Sequence, residues 1–150
     1  MQSTTEVLSG LHIEYEVRIT SAHRTPAATM EYVDDATQRG CGVFICAAGM
    51  AAHLAGAVAA HTLCPVIGVP IDSGPLNGFD ALLSTVQMPG GIPVACVAVG
   101  KAGAKNAAYL AGQILALADP KLSQRLAQDR EVNGNKVRAQ NEQLQADLKG

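Results

Sequence analysis

The sequence predicts an α/β fold in which a parallel sheet is covered on both faces by helices. Three observations carry the prediction. Strand-like and helix-like segments alternate along the chain. The strand-like segments, such as GVFICAA (42–48) and PVIGVP (65–70), are apolar throughout rather than at every second residue, as strands buried on both faces are. The apolar bulk, 48% of 150 residues, comes from Ala, Val, Leu and Ile, with 15 glycines, 3% aromatic residues and no Trp. Small side chains of this kind suit closely spaced layers, and the chain is long enough for one domain with a real core.

In order, residues 2–9 read as a helix closed by Gly10, and residues 13–19 as a strand. Thr25 can cap the next helix and Pro26 suits its first turn. That helix runs to Arg39 and stops at Gly40. GVFICAA follows as a strand, then AAHLAGAVAAH (51–61) as a helix weakened by Gly56, then PVIGVP as a strand bracketed by prolines. A helix over 77–86, the tight loop MPGGIP (88–93), a buried strand VACVAV (94–99) and a small-residue helix over 102–118 complete the series. Residues 1–118 thus form the α/β domain and 119–150 a C-terminal helical extension. The extension reads as two helices, the first with Leu122 and Leu126 turned inward. The second, over 135–149, has only Val137, Leu144 and Leu148 as anchors and is marginal alone, so it is expected to pack on a neighbouring subunit or fray.

Composition excludes several classes of function. A net charge of -2 lacks the basic stripe of a nucleic-acid binder. No apolar run reaches the roughly 18 residues that span a bilayer. MQSTTEVLSG has neither the basic start nor the apolar centre of a signal peptide. Cys41, Cys46, Cys64 and Cys96 show no C-x-x-C spacing, which argues against a zinc site. They read as buried, reduced thiols of a cytoplasmic protein.

Ligands of open parallel sheets bind beyond the carboxyl ends of the strands, and the chemistry-bearing residues fall there. Ser21, His23 and Arg24 follow the 13–19 segment; Gly49, Met50 and His53 follow the second strand; Asp72 and Ser73 follow the third and Lys101 the fourth. Arg24 can hold a phosphate or carboxylate in a fork, and Ser21 can donate to the same anion. A histidine beside a fixed anion suits proton transfer near neutral pH. His53, read one turn into its helix, is either a structural histidine or part of the site. The small residues of AAGMAA let backbone N–H groups approach a carboxylate, and equally serve close packing. STVQMPGGIP (84–93) is either a rigid turn or an apolar lid over a planar ligand. GKAGAKNAA (100–108) lacks the order of a phosphate loop and reads as close helix packing through Gly103 and Ala104. His12 and His61 have no such context.

SAHRTP (21–26), AAHLAG (51–56), PVIGVP (65–70), LLSTVQMPGGIPVA (82–95) and GKAGAKNAA (100–108), in this order and spacing, resemble the PurE family of N5-carboxyaminoimidazole ribonucleotide mutases. The resemblance covers residues 1–130, and SAHRTP is similar to the bacterial mutase branch. It implies a flavodoxin-like three-layer α/β/α sandwich, assembled as a homo-octamer, with no metal and no organic cofactor. It also implies migration of a carboxylate from the exocyclic nitrogen of an aminoimidazole ribotide to ring carbon C4, through carbon dioxide held in a closed, water-poor site. On the resemblance His23 shuttles the proton, Ser21 and Arg24 bind the ribotide with Arg24 at its phosphate, and Gly49, Met50, Ala51, His53 and Leu54 surround the migrating carboxylate.

The sequence departs from the family in two ways. The family has an apolar first strand and a G-S-x-S-D loop ahead of the helix matched by MQSTTEVL; in the family that strand is central, between the counterparts of 13–19 and 42–47. Neither occurs in these 150 residues. Either residues precede Met1, or a truncated form folds differently, its flanking strands closing up by about 5 Å or borrowing a strand. The 150 residues by themselves are expected to bind nucleotide weakly and turn over little. Family members also often carry Gly where Ala47 and Met50 stand and Pro where Ala55 stands; Met50 adds bulk beside the carboxylate site. Two alternatives to the mutase remain: a carboxylase acting on dissolved carbon dioxide and the unmodified ribotide, and a non-catalytic nucleotide-binding scaffold.

Overall fold

Residues 1–149, described by a computed structural model, run α1 (Gln2–Gly10), α2 (Pro26–Gln38), β1 (Phe44–Gly49), α3 (Leu54–Ala59), β2 (Val66–Ile71), α4 (Phe79–Val86), β3 (Ala95–Cys96), α5 (Gly100–Leu115) and α6 (Pro120–Asp147). The sheet is parallel in the order β1-β2-β3. β1 and β2 pair in register from Phe44 opposite Val66 to Gly49 opposite Ile71. The uniformly apolar β2 is the middle strand, and its two faces feed two cores. On one face Val66, Phe44 and Cys46 pack with Val33 and Ala36 of α2 and Ala55 and Val58 of α3. On the other, Ile67 and Val69 pack with Ala104, Ala107 and Ala111 of α5. Burying Ile67 and Val69, which are 0% and 1% exposed, stabilises the fold by about 1.5–3 kcal/mol each. The three layers are those of a flavodoxin-like α/β sandwich.

Small residues set the spacing of the layers. A Cβ on Gly103 would stand 1.5 Å from the Ala98 carbonyl oxygen, so the first turn of α5 packs directly on the backbone that leads into it from β3. Ala104 is buried behind it, and its carbonyl accepts the Thr4 hydroxyl of α1 at 2.7 Å. Close packing through Gly103 and Ala104 is what GKAGAKNAA encodes.

Four expectations are corrected. Residues 13–19 are not a strand. Among the described residues no strand pairs with them, and a strand without a hydrogen-bonded neighbour has no ladder to define it. The segment neither closes onto β1 nor is joined to it by another strand. It lies instead along α2, held by Glu16 to Arg39 and Tyr32 and by Arg18 over the Tyr32 ring, and Ile19 is fully exposed. The VACVAV strand reduces to Ala95–Cys96, an edge strand with Ala95 exposed rather than a buried one. The helix expected over 51–61 spans only Leu54–Ala59. The tail is one helix of 28 residues, not two. Asp119 starts it by accepting from the Lys121 and Leu122 N–H groups, Pro120 occupies its first turn, and the helix runs on through Asn133, Gly134 and Asn135, where the glycine costs about 1 kcal/mol. Leu122 is buried as expected and Leu126 half-buried, while Val137, Leu144 and Leu148 are exposed.

Candidate active site

The turn ahead of α2 is built by its own hydroxyls. Ser21 Oγ accepts the Arg24 N–H at 3.1 Å, and the Thr25 N–H donates to the Ser21 carbonyl at 2.9 Å. Thr25 stands at the N-cap position, but its hydroxyl does not cap α2. It accepts the Ser21 N–H at 2.9 Å and donates to the Ser21 carbonyl at 3.2 Å, tying the turn to itself. Pro26 then enters the first turn. The result is a rigid projection that presents His23 and Arg24 to solvent. Ser21 Oγ, acting as acceptor within the turn, keeps its own O–H to donate. Among the described residues neither the His23 ring nor the Arg24 guanidinium has a hydrogen-bond or ion-pair partner.

The second part of the site lies beyond β1. Gly49 ends the strand, and the chain turns sharply so that the Ala52 N–H reaches the Met50 carbonyl at 2.8 Å. Met50 takes a φ of 54°, a left-handed conformation that is strained in a long side chain. A Cβ on Gly49 would meet Ser73 Oγ at 1.9 Å, and one on Gly74 would meet Met50 Cγ at 3.4 Å. The loops after β1 and β2 are therefore in contact. His53 stands at the N-cap of α3 rather than one turn inside it, which frees its ring to face the SAHRTP turn. The rings of His23 and His53 stack at 5.5 Å.

The loop after β2 also reaches α5. A Cβ on Gly100, whose φ is 70°, would lie 3.2 Å from the carboxylate of Asp72. That carboxylate sits at the amino end of a 16-residue helix, where the helix dipole favours it. Gly100 was not among the candidate site residues; its signal is a single glycine directly after an apolar run. The MPGGIP loop carries Met88, whose sulfur would lie 3.1 Å from a Cβ on Gly56 of α3. The loop is thereby anchored to the same helix that carries His53.

The stack of His23 on His53 thus joins the turn that carries Ser21 and Arg24 to the end of β1 and the segment after it, which carry Gly49, Met50, Ala51 and Leu54. The chain does not enclose them. His23, Arg24, Met50, Ala51 and His53 are all exposed in the single chain. Two cavities lie elsewhere. One of about 410 Å³ is bordered by Glu16, Arg18, Asp35 and Arg39. The other, of about 540 Å³, lies between α5 and α6 beside Lys105, Tyr109, Asp129 and Arg130. All four cysteines are free. Cys46 alone is fully buried, and burial pushes its thiol up to about 12. Among the described residues no three of His, Cys, Asp or Glu converge on a metal-sized point.

Comparison with known proteins gives a consistent result. The sequence model of the AIR carboxylase family matches residues 1–136. An N5-carboxyaminoimidazole ribonucleotide mutase of Bacillus subtilis (strain 168) is 49% identical over 144 residues, which cover 96% of this chain and 89% of that protein. The mutase of the same name from Saccharolobus solfataricus is 51% identical over 137 residues, 91% of this chain and 85% of its own. A crystal structure of Treponema denticola PurE superposes with a TM-score of 0.84 at 28% identity, over 95% of this chain and 88% of that one.

Proposed function

The chain belongs to the AIR carboxylase family, and we propose that it acts as a mutase of purine synthesis, converting N5-carboxyaminoimidazole ribonucleotide to 4-carboxy-5-aminoimidazole ribonucleotide. The stacked pair of His23 and His53 beside the unpaired Arg24 guanidinium carries the reading. It sets a titratable base next to an anion-binding fork, at the end of the strand where small residues leave room for a guest.

The atoms of the reaction assign the roles. The bond between the exocyclic nitrogen and the carboxylate breaks, releasing carbon dioxide, and the nitrogen gains a proton. C4 attacks the carbon dioxide, a carbon–carbon bond forms, and C4 loses its proton to restore the aromatic ring. One proton is consumed and one returned, so a single imidazole can serve both steps, and His23 is that base. Arg24 takes the ribotide phosphate and Ser21 O–H donates to it. Gly49, Met50, Ala51 and Leu54 border the migrating carboxylate, with His53 as the wall that orients His23. The chemistry requires no metal or organic cofactor.

Carbon dioxide is small and escapes from an open surface. The site is exposed, with Ile19 and Met50 bared on its two segments, and calls for a cover, which favours a homo-octamer in which neighbouring copies close the site. In that assembly residues 1–118 supply the α/β domain and 119–150 a helical extension that contacts a neighbour. None of the described helices is long and apolar enough to cross a membrane; with the free thiols, this supports a cytoplasmic setting.

The family takes its name from a carboxylase, whereas the relatives at about half identity are named mutases. The two readings separate in one assay. A mutase forms product from the N5-carboxylated ribotide at a rate independent of added bicarbonate. Product formed only from the unmodified ribotide, rising with bicarbonate, overturns the mutase reading in favour of the carboxylase. Binding of either ribotide without turnover by the chain of verified mass leaves a scaffold.

A further inference from the structure

We propose that Cys41 and Cys64 are a vicinal dithiol that closes to an intrachain disulfide under mild oxidation, locking the entrances to β1 and β2 together. The two residues lie on the chain leads of adjacent parallel strands. Phe44 pairs with Val66, and the Phe44 N–H donates to the Pro65 carbonyl at 2.9 Å, so the leads approach the sheet side by side. Cys64 Sγ donates to the Cys41 carbonyl at 3.3 Å across 23 residues of sequence. The Cys64 sulfur therefore already lies within a side-chain length of the Cys41 backbone. Both side chains pack against the same face, the core of Phe44, Val66 and Val58. A rotation of Cys41, whose thiol now donates to the Val43 carbonyl at 3.4 Å, brings the sulfurs together.

The local backbone permits the geometry. A disulfide needs Cα atoms about 4.4–6.8 Å apart and a dihedral near 90°, which neighbours held in a regular ladder reach only with strain. Here Cys41 precedes β1 in irregular chain and Cys64 sits in a bend, so both can adjust. Both are half-buried and open to a small reagent, whereas Cys46 nearby is fully buried. Burial, and then the neighbouring Cys64, push the Cys41 thiol up, which lowers its thiolate fraction and slows the exchange.

With glutathione disulfide as oxidant the step balances by exchange. One cysteine thiolate attacks the glutathione disulfide, forming a mixed disulfide and expelling one glutathione thiolate. The other cysteine thiolate attacks the protein-bound sulfur, closing the Cys41–Cys64 bond and expelling the second glutathione. Two protein thiols are oxidised and one glutathione disulfide is reduced to two thiols.

The test is the full chain incubated with glutathione disulfide, then alkylated and digested without reductant. The expected result is a cross-linked peptide pair containing Cys41 and Cys64, an intact mass lower by two hydrogens, and a melting temperature raised by several degrees and returned by dithiothreitol. Cys64→Ser should instead retain one glutathione on Cys41. Stable glutathione adducts on both cysteines of the unsubstituted chain overturn the proposal, as do a link to Cys46 or Cys96, a disulfide between two chains, and unreacted thiols. These outcomes are read on the unsubstituted protein, so a poorly folding variant does not affect them.

Discussion

The imidazoles of His23 and His53 lie face to face, with centroids 5.5 Å apart and planes 16° from parallel. The two residues come from different loops, and neither ring has another partner among the described residues. On the proposed function, a ribotide ring entering beside His23 would meet an imidazole that already stacks on its neighbour.

His23→Asn tests that arrangement most directly. Removing the base should lower turnover by about 10²–10⁴-fold, while ribotide affinity changes by only a few-fold. Steady-state rates and calorimetric binding on the same preparation check it; an unimpaired rate would remove His23 from the chemistry.

Arg24→Lys keeps the charge but loses the fork. With a phosphate in the fork, the loss should be about 1.5–3 kcal/mol of binding, a rise in KM of roughly tenfold or more, with kcat less affected. Equal KM values in the two proteins would place the phosphate elsewhere.

Met50 occupies a left-handed conformation that glycine adopts freely. Met50→Gly should therefore stabilise the chain, or leave it unchanged, by up to about 1 kcal/mol, in spite of the usual entropic penalty of glycine. Urea unfolding monitored by circular dichroism gives the sign, and a loss of more than that amount would show that the Met50 side chain contributes packing.

Gly103→Ala introduces a methyl where the Ala98 carbonyl oxygen already stands. Since the obstacle is backbone, α5 or the β3 segment must move, at a cost of about 1–3 kcal/mol. The same substitution at Gly10, which has nothing within 4 Å, serves as the control and should change stability by less.

Glu16 is held below the ordinary carboxylate range, first by its hydrogen bonds from Arg39. A depressed carboxyl stabilises the fold above the unfolded value of about 4.3 and loses that contribution as pH falls through its lower folded value. The melting-temperature difference between the native chain and Glu16→Gln should be small, because the pair is exposed, constant from pH 5 to 7, and should shrink below about pH 4. A difference that grows on acidification would reverse the assigned sign.

Much of the fold was legible in the residues. Continuous apolar runs such as PVIGVP announce strands covered on both faces, and β2 is buried as they require. The placement of candidate residues beyond strand ends was legible for Gly49, Met50 and His53, which end or follow β1; Ser21, His23 and Arg24 were singled out by the same rule, yet the segment ahead of them is not a strand. Of the corrected expectations, two show why the rest escaped. The EYEVRI segment has the composition of a strand, yet composition supplies only one side of a ladder, and no described strand supplies the other. The tail reads as two helices because its apolar anchors fall into two separate sets, Leu122 and Leu126 and then Val137, Leu144 and Leu148, although backbone hydrogen bonding carries one helix through the polar stretch between them.

From its sequence alone, this chain already had its alternation of elements, its small-residue packing and the chemical groups of its site, since these depend on side-chain type and local spacing. Only the tertiary structure decided that His53 faces His23, that Ser73 touches the end of β1, and that the site stays open within one chain. Those outcomes depend on where separate loops cross in space, and residues 30 positions apart carry no local signal of the distance between them.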